Sequence, residues 1–441
     1  MPATGKLSPE QDTESLITIR FNKRRWLLLL GTIGPGLVTA NADNDAGGIA
    51  TYATAGATYG YSLLWVLLLI TFVLAMVQEM VARMGAVTGK GLSSLIRERF
   101  GVKMTGVAML ALLIANIATI IAEFAGIAAA SEILGISKYL AVPGAAIFVW
   151  WLVVKGTYEK VEKALIGLSI LFLTYVLAGL LVQPNWGQVF HGLLVPQLPS
   201  RPSGVMLHSH ISGYLLILIA MIGTTITPWM QFFLQSSVVD KGITTRTYSY
   251  ARFDVLFGAF VTNFVAFFII VATAGALYYP QQQPHHISDA ADAARALAPI
   301  AGHYAELLFA LGLFGASLLA ASVVPLATSY AICEAFGWQT GVSKEFKEAP
   351  VFLGLYTCLI ALGALVVLWP QLPLLFVLLL AQDINGILLP IILIFMLRLV
   401  NDSRLMGRYV NGPVYNVIAW GLAIALIAMT ATLLVTSLLN A

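Results

Sequence analysis

Two long apolar segments of the chain are each interrupted near the middle by residues that do not sustain a regular helix. The first covers residues 26–57 and is broken between Asn41 and Gly48. The second covers residues 213–239 and is broken between Gly223 and Trp229. Backbone that leaves the helix at membrane depth is tolerated only where it lines a cavity or is buried in protein. A pair of such breaks, one in each half of a chain, indicates the substrate site of a transporter.

The composition indicates an integral membrane protein. Of the 441 residues, 59% are hydrophobic and only 10% are charged, whereas soluble proteins carry about 25% charged residues. A transmembrane helix needs about 20 apolar residues, and eleven segments are predicted to cross the membrane. They cover residues 26–57, 61–87, 104–133, 139–155, 162–183, 213–239, 250–279, 303–336, 350–369, 372–398 and 414–438. Residues 1–22 are polar, so no secretory signal peptide is predicted.

Lysine and arginine residues are concentrated in alternate loops of this topology. They precede the first span, at Lys23, Arg24 and Arg25, and they follow each even-numbered span. Because short cytoplasmic loops carry the excess of Lys and Arg, we expect the N-terminus in the cytoplasm and, with eleven spans, the C-terminus outside the cell. The net charge of +3 is therefore no indication of nucleic acid binding.

The broken spans are the first and the sixth, which divides the chain into two halves of five spans. Because five is odd, the halves have opposite orientations in the membrane. We predict an all-α membrane protein with an inverted repeat of five plus five helices, helices 1 and 6 broken, and an eleventh helix. The predicted tail covers residues 1–24 and a single transmembrane domain covers 25–438, with repeats at about 26–183 and 213–398 and the extra helix at about 414–438.

The stretch from Gly34 to Gly60 reads GPGLVTANADNDAGGIATYATAGATYG. It resembles the first helix of the Nramp family of divalent-metal transporters, whose pattern is GPG, eight residues, then DPGN and an apolar-Ala-Thr triplet. Asp45 stands at the Asp of that motif and Gly48 at its Asn. Further matches in the family's order are Thr88, Gly89, Lys90, Ala122, Glu123, Gly126, residues 304–315, Gln382, Pro390, Met406, Gly407 and Asn411. The resemblance covers roughly residues 25–437 and implies the LeuT-type inverted repeat.

The resemblance also implies a metal site. The family uses the Asp and Asn of its DPGN motif, the Met of a Met-Pro-His motif in helix six, backbone carbonyls at both breaks and a Gln in helix ten. Carried over to this sequence, the predicted metal-site residues are Asp45, Thr227, Thr224, Gly48, Ala42 and Gln382. Residues expected along the ion pathway are Asp43, Asn44, Glu123, Asp383 and Asn385.

The sequence departs from the family at the positions that determine metal chemistry. The Met-Pro-His position reads Thr227, Pro228 and Trp229. A thioether favours soft and borderline metals, whereas hydroxyls, carbonyls and carboxylates suit magnesium, calcium and manganese. We further expect that Gly48, in place of Asn, removes a ligand and vacates volume. Because magnesium gives up its water reluctantly, this pattern predicts a wide site for a partly hydrated Mg²⁺ ion.

The departures also affect proton coupling. The family's helix three carries an Asp three residues before its Glu, where this chain has Ile120, and the second His of helix six is replaced near Leu234 or Gln235. Histidine titrates most readily near neutral pH, and all six histidines fall in predicted outward loops or at the edge of a span. We therefore expect transport without proton coupling.

The sequence predicts a secondary transporter that moves a hard divalent cation, chiefly Mg²⁺ and alternatively Mn²⁺, into the cytoplasm by alternating access. It resembles the Nramp-related magnesium transporters. Mg²⁺ is then the transported substrate, and the protein is embedded in the lipid bilayer. No cofactor, nucleic acid or obligate protein partner is expected. The main alternative is a proton-coupled Mn²⁺ or Fe²⁺ importer of the ordinary Nramp type.

Other readings remain open for individual residues and for the whole chain. Asp45 is also a good N-cap for the helix that follows it, and Thr227 also suits a hydrogen bond to backbone freed by Pro228. An intramembrane metalloprotease is disfavoured because the sequence has no HExxH string. An amino-acid symporter of the same architecture would not need a carboxylate at Asp45, because a substrate carboxylate prefers open helix N-termini.

Overall fold

The computed structural model describes residues 35–156, 163, 167, 170–197, 207–281, 303–342 and 344–440. The predicted tail, residues 1–24, and the start of the first span lie outside the described residues. Every regular element in the described part of the chain is helical.

The principal helices follow the predicted spans, except that a helix at Trp186–Leu194 lies in a predicted loop. They are α1 (Pro35–Asp43), α2 (Ala46–Tyr59), α3 (Leu64–Thr88), α4 (Leu92–Ile133), α5 (Lys138–Val154), α6 (Leu173–Leu181), α7 (Trp186–Leu194), α8 (Leu207–Thr225), α9 (Pro228–Asp240), α10 (Tyr248–Thr273), α11 (His303–Phe336), α12 (Pro350–Val367), α13 (Leu374–Val400) and α14 (Pro413–Asn440). Short helical turns cover Ile170–Phe172, Ala274–Tyr278, Tyr279–Gln281, Ser403–Met406 and Gly407–Tyr409.

The outer helices have the apolar surface of a membrane protein. In the described part of the chain, eight helical segments are long and apolar enough to cross a membrane, and α5 is a shorter apolar helix. Large apolar side chains such as Leu140, Leu365 and Val417 are 68–73% exposed. Exposed apolar surface of this extent is expected to face lipid rather than water. Helices α6 and α7 are bent by 116° at their junction, so α7 departs from the direction of its span.

Both predicted breaks are present. Between α1 and α2 the helix stops at Asp43 and restarts at Ala46, with Asp45 in extended conformation as the N-cap of α2. Between α8 and α9 it stops at Thr225 and restarts at Pro228, with Thr227 extended in the N-cap position. Proline suits the first position of a helix because its missing N–H has no helical partner there. Each broken span is therefore two half-helices.

Helix α4 contains one difference from the predicted spans. Gly101 has φ 76° inside the helix, a conformation that glycine adopts without the steric cost of a side chain. This kink separates residues 92–100 from the long segment that follows. The span predicted from residue 104 thus corresponds to the second segment, and the preceding residues, expected as a loop, form a short helix instead.

The half-helices pack closely against α10 and α13. The Gly36 N–H donates to Asp254 Oδ2 at 2.7 Å, and a Cβ on Gly36 would lie 2.7 Å from Val255 Cα. A Cβ on Gly223 would lie 2.4 Å from Gly386 N, and one on Gly386 would lie 2.5 Å from Ile219 O. The glycines let backbones of α8 and α13 touch, as small residues do at membrane helix interfaces. This contact fixes α13 beside the second break.

We predict that Gly386→Ala destabilises the protein. The added methyl group would meet the α8 backbone, and overpacking of a buried contact typically costs about 1–3 kcal/mol. Gly354→Ala on α12 is the matched control, because no atom lies within 4 Å of its added Cβ and alanine is the better helix former. Thermal unfolding of the two purified variants in detergent is the measurement. Equal melting temperatures would contradict the proposed close contact.

Candidate metal site at the helix breaks

The Asp45 carboxylate lies at the centre of the first break. Its Oδ1 accepts the Gly48 N–H at 2.5 Å, a capping hydrogen bond that closes the first turn of α2. Gln382 Nε2, from α13, is 3.3 Å from both carboxylate oxygens. Asp45 has no solvent exposure. An acid at this depth is costly and usually functional, and capping leaves lone pairs on the carboxylate for a cation.

The backbone around Asp45 also offers oxygen atoms. In a continuous helix the Ala46 N–H would bond to the Ala42 carbonyl. Here it donates to Glu123 Oε2 of α4 at 3.1 Å instead, which diverts it from the Ala42 carbonyl. Glu123, predicted as a pathway residue, thus caps the start of α2 while its Oε1 atom has no hydrogen-bond partner in the described part of the chain.

Three threonines lie at the second break and have different surroundings. Thr224 faces the Asp45 carboxylate and Thr227 faces that of Asp43, in neither case with a well-formed hydrogen bond. Thr225 donates to Met221 O at 2.7 Å and is 2.8 Å from the Tyr52 hydroxyl. Thr224 and Thr227 are therefore available to a ligand, whereas Thr225 is committed to holding α2 against α8.

Thr227 and Asp45 are both predicted metal-site residues, and the carboxylate that Thr227 lies beside is that of Asp43. The Thr224 carbonyl has no helical partner, because residue 228 is proline and has no N–H. The site therefore contains two nearby carboxylates and two threonine hydroxyls, with the Ala42 and Thr224 carbonyls beside them.

The space above Gly48 is occupied, which contradicts the expectation that this glycine vacates volume. A Cβ on Gly48 would lie 2.7 Å from Thr224 Oγ1 and 3.1 Å from Asp45 Oδ1. The Thr224 hydroxyl therefore takes the position toward which a longer side chain at residue 48 would point. Gly47 is equally confined, since its Cβ would lie 2.0 Å from Gln382 Nε2.

The other predicted pathway residues differ in how they relate to the site. Asp43 Oδ1 and Asn44 Nδ2 are buried at the first break without hydrogen-bond partners in the described residues. Asn385 donates to Gln382 Oε1 at 3.0 Å and so contacts the site through that side chain. Asp383 is half-buried one residue further along α13 from Gln382, and no contact joins it to the carboxylates.

The predicted ligand side chains at the site are fully buried. Asp45, Thr224, Thr227 and Gln382 all have 0% exposure. Within the described residues, no three side chains among His, Cys, Asp and Glu form a group able to hold a metal. A cation at this position would therefore depend on one or two carboxylates together with hydroxyl, amide and backbone oxygens.

Where the sequence departs from the Nramp pattern, the side chains pack in the protein interior or form hydrogen bonds that do not involve the candidate metal site. Ile120 is buried and lies against Gly363 of α12. Gln235 donates to the Lys90 carbonyl at 2.8 Å, and Trp229 is fully buried near Phe233. Among the histidines, only His191 has a described side chain, and its Nδ1 lies 2.6 Å from Gln197 Nε2.

Sequence reasoning missed Tyr52 and Thr119. Tyr52 lies four residues after Gly48, a spacing that places both on one face of a helix, and this spacing was the available signal. Thr119 accepts a hydrogen bond from Asn385 at 2.9 Å. No sequence signal identifies Thr119, because the two residues are distant in the chain and come together only through packing.

Comparison with solved structures places this arrangement in a known fold. A manganese transporter from Eremococcus coleocola, solved with an aromatic bis-isothiourea substituted compound, has a TM-score of 0.72 at 21% identity, covering 98% of this chain and 95% of that chain. MhsT in complex with L-phenylalanine has a TM-score of 0.58 at 13% identity, covering 92% and 98%. Mhp1, a nucleobase-cation-symport-1 transporter, has a TM-score of 0.56 at 14% identity, covering 92% and 91%. These similarities confirm the predicted LeuT-type fold.

The family follows from the sequence match. A family model described as natural resistance-associated macrophage protein-like matches residues 36–436, a range that includes both breaks and α13. The chain therefore belongs to the Nramp family of metal transporters.

Proposed function

We propose that this protein carries Mg²⁺ into the cytoplasm by alternating access, as a uniporter without proton coupling, with Mn²⁺ as the alternative cargo. The observation that carries the proposal is a set of buried oxygen atoms without hydrogen-bond partners in the described residues. They are Asp43 Oδ1, Thr224 Oγ1 and Thr227 Oγ1, of which Thr224 Oγ1 lies near the Asp45 carboxylate and Thr227 Oγ1 near that of Asp43. Buried polar atoms are normally paired, and exceptions point to a missing water or ion.

This oxygen set suits an ion that keeps part of its water. Water bound to a cation directs its hydrogens outward, so the surrounding groups must accept hydrogen bonds. Carboxylate and hydroxyl oxygens do so, and a thioether does so only weakly. Mg²⁺ is commonly held by one or two carboxylates and several retained waters, and the first break provides two carboxylates, Asp43 and Asp45.

The Eremococcus coleocola protein is a manganese transporter, but at 21% identity the similarity extends to the fold alone. The metal preference must therefore come from the residues of this chain. Thr227 stands where the family pattern has methionine, the ligand that favours softer metals. The alternative, a proton-coupled Mn²⁺ or Fe²⁺ importer, would need a proton carrier near the site. Ile120 packs as an apolar residue where the family pattern has an acid, which favours the uncoupled mechanism.

The membrane potential supplies a driving force without protons. Moving one elementary charge across 100 mV is worth about 2.3 kcal/mol, so a divalent cation gains about 4.6 kcal/mol. We infer from the basic loops that the N-terminus is cytoplasmic and the C-terminus extracellular. In that orientation a potential that is negative inside drives Mg²⁺ inward.

We expect purified protein in liposomes to carry Mg²⁺ inward without acidifying the lumen. An enclosed Mg²⁺ dye and an enclosed pH dye, read in parallel under a potassium-diffusion potential, make the measurement. Asp45→Asn, which keeps the volume and removes the charge, should reduce the flux to that of empty vesicles. Absence of Mg²⁺ flux in the wild type would end the proposal, and luminal acidification that follows Mn²⁺ uptake would favour the proton-coupled alternative.

We predict that Thr227→Met shifts selectivity toward Mn²⁺. The added sulfur is a softer ligand, and an effect of about 1.4 kcal/mol would change the ratio of Mn²⁺ to Mg²⁺ uptake tenfold. Thr227→Leu is the matched control, because it adds similar volume without sulfur. Competition uptake in liposomes measures the ratio. If the Leu and Met variants have the same ratio, Thr227 does not contact the ion.

We predict that Gly48→Ala weakens Mg²⁺ binding through a steric contact with Thr224. The added methyl group would be too close to Thr224 Oγ1, and overpacking costs about 1–3 kcal/mol. Thr224→Ala removes that oxygen, so the double variant should lose less affinity than the sum of the two single losses. Titration calorimetry of the four proteins measures the coupling. Strictly additive losses would show that the two residues do not share the same space.

A further inference from the structure

A row of hydrogen bonds connects α4 to Asp45 through α13. Thr119 Oγ1 donates to the Ala115 carbonyl at 3.1 Å, so its single hydroxyl proton is used within its own helix. The same oxygen is 2.9 Å from Asn385 Nδ2. Because a hydroxyl that has given its proton can only accept, Asn385 must present its NH₂ group to Thr119.

The same NH₂ group fixes the orientation of Gln382. Asn385 Nδ2 is 3.0 Å from Gln382 Oε1, three residues back on the same face of α13. The oxygen of the Gln382 amide is thus occupied by a donor, and its Nε2 faces the two Asp45 oxygens. Reversing the Gln382 amide would place its NH₂ against the NH₂ of Asn385 and lose that hydrogen bond.

We propose that Asn385 is a positioning residue that sets metal selectivity by keeping the Gln382 amide oxygen turned away from the ion. This inference rests on the proposed function, since it names a determinant of Mg²⁺ preference at the same site. An amide oxygen is a good ligand for a cation that has shed a water molecule. With that oxygen held by Asn385, Gln382 cannot replace a water molecule on the ion, which suits Mg²⁺ because Mg²⁺ dehydrates reluctantly. The hydrogens of that water are then accepted by carboxylate and threonine oxygens, because the Gln382 NH₂ group cannot accept them.

The burial of the row makes this orientation energetically significant. Thr119, Gln382 and Asn385 all have 0% exposure, so no bulk water replaces a hydrogen bond that is lost. A neutral hydrogen bond changes an equilibrium by roughly twofold to tenfold, and leaving a buried donor unpaired changes it by more. Releasing Gln382 therefore requires the loss of Asn385 or a stronger ligand at the amide oxygen.

The test is the affinity of the full-length protein for Mn²⁺ and for Mg²⁺, measured by titration calorimetry in detergent. Asn385→Ala should raise Mn²⁺ affinity relative to Mg²⁺ by roughly fivefold, the factor that one hydrogen bond carries. Asn385→Leu keeps the side-chain volume and should give the same shift in the ratio of Mn²⁺ to Mg²⁺ affinity. That result would exclude a packing defect as the cause of the shift. In a Gln382→Ala background the Asn385 substitution should have no further effect on the ratio.

Asn116→Ala is the matched control. Asn116 is also fully buried, also donates its Nδ2 to a threonine, Thr328 at 2.7 Å, and also has an unpartnered Oδ1 among the described residues. It has no contact with Gln382, so its substitution should leave the Mn²⁺ to Mg²⁺ ratio unchanged. Equal losses for both metals in the Asn385 variants, or an undiminished shift without Gln382, would overturn the proposal.

The two proposals fail differently. If the wild-type protein binds Mn²⁺ but not Mg²⁺, the proposed function is wrong. The role of Asn385 is then read from Mn²⁺ affinity alone, which should rise in Asn385→Ala only when Gln382 is present. If Mg²⁺ binds and the Asn385 variants leave the ratio unchanged, only the positioning role is wrong.

Discussion

The hydrogen bond from the Gly48 N–H to Asp45 Oδ1 joins the two properties on which the candidate site depends. It stabilises the restart of the first broken helix, because it satisfies an N–H that has no helical partner. It also holds a carboxylate at a fixed position where the backbone has left the helix and the Ala46 N–H is diverted from the Ala42 carbonyl. A capping interaction that would be ordinary in a soluble protein thus keeps a charge in place inside a membrane protein.

The second break contributes hydroxyl oxygens to the candidate site, which the first break does not. Thr224 and Thr227 add hydroxyl oxygens, and Pro228 removes the N–H that would otherwise occupy the Thr224 carbonyl. The close packing of α8 against α13 depends on Gly223 and Gly386, because neither has a side chain to separate the two backbones. The Gln382 amide is thereby brought within reach of Asp45. We therefore expect the proposed metal selectivity to depend on helix packing as well as on the ligand side chains.

Much of the architecture was predictable because it is written in local sequence. Residues such as Asn41, Gly48 and Pro228 mark the two breaks within apolar segments. Because the broken spans are the first and the sixth, the repeat of five plus five helices could also be predicted. Relations between distant residues were not predictable. Thr224 fills the space above Gly48, and Thr227 faces Asp43, because two half-helices far apart in sequence cross there. The orientation of Gln382 likewise depends on Thr119 of another helix, which no spacing in the sequence indicates.

We propose that Asp45 holds a cation that keeps part of its water shell. Electron–nuclear double resonance of bound Mn²⁺, a paramagnetic substitute for Mg²⁺, counts exchangeable water protons on the ion when spectra in H₂O and D₂O are compared. We expect several water ligands on Mn²⁺ in the wild-type protein and loss of the bound signal in Asp45→Asn. A Mn²⁺ ion without water ligands, or one that remains bound without the Asp45 carboxylate, would contradict this proposal.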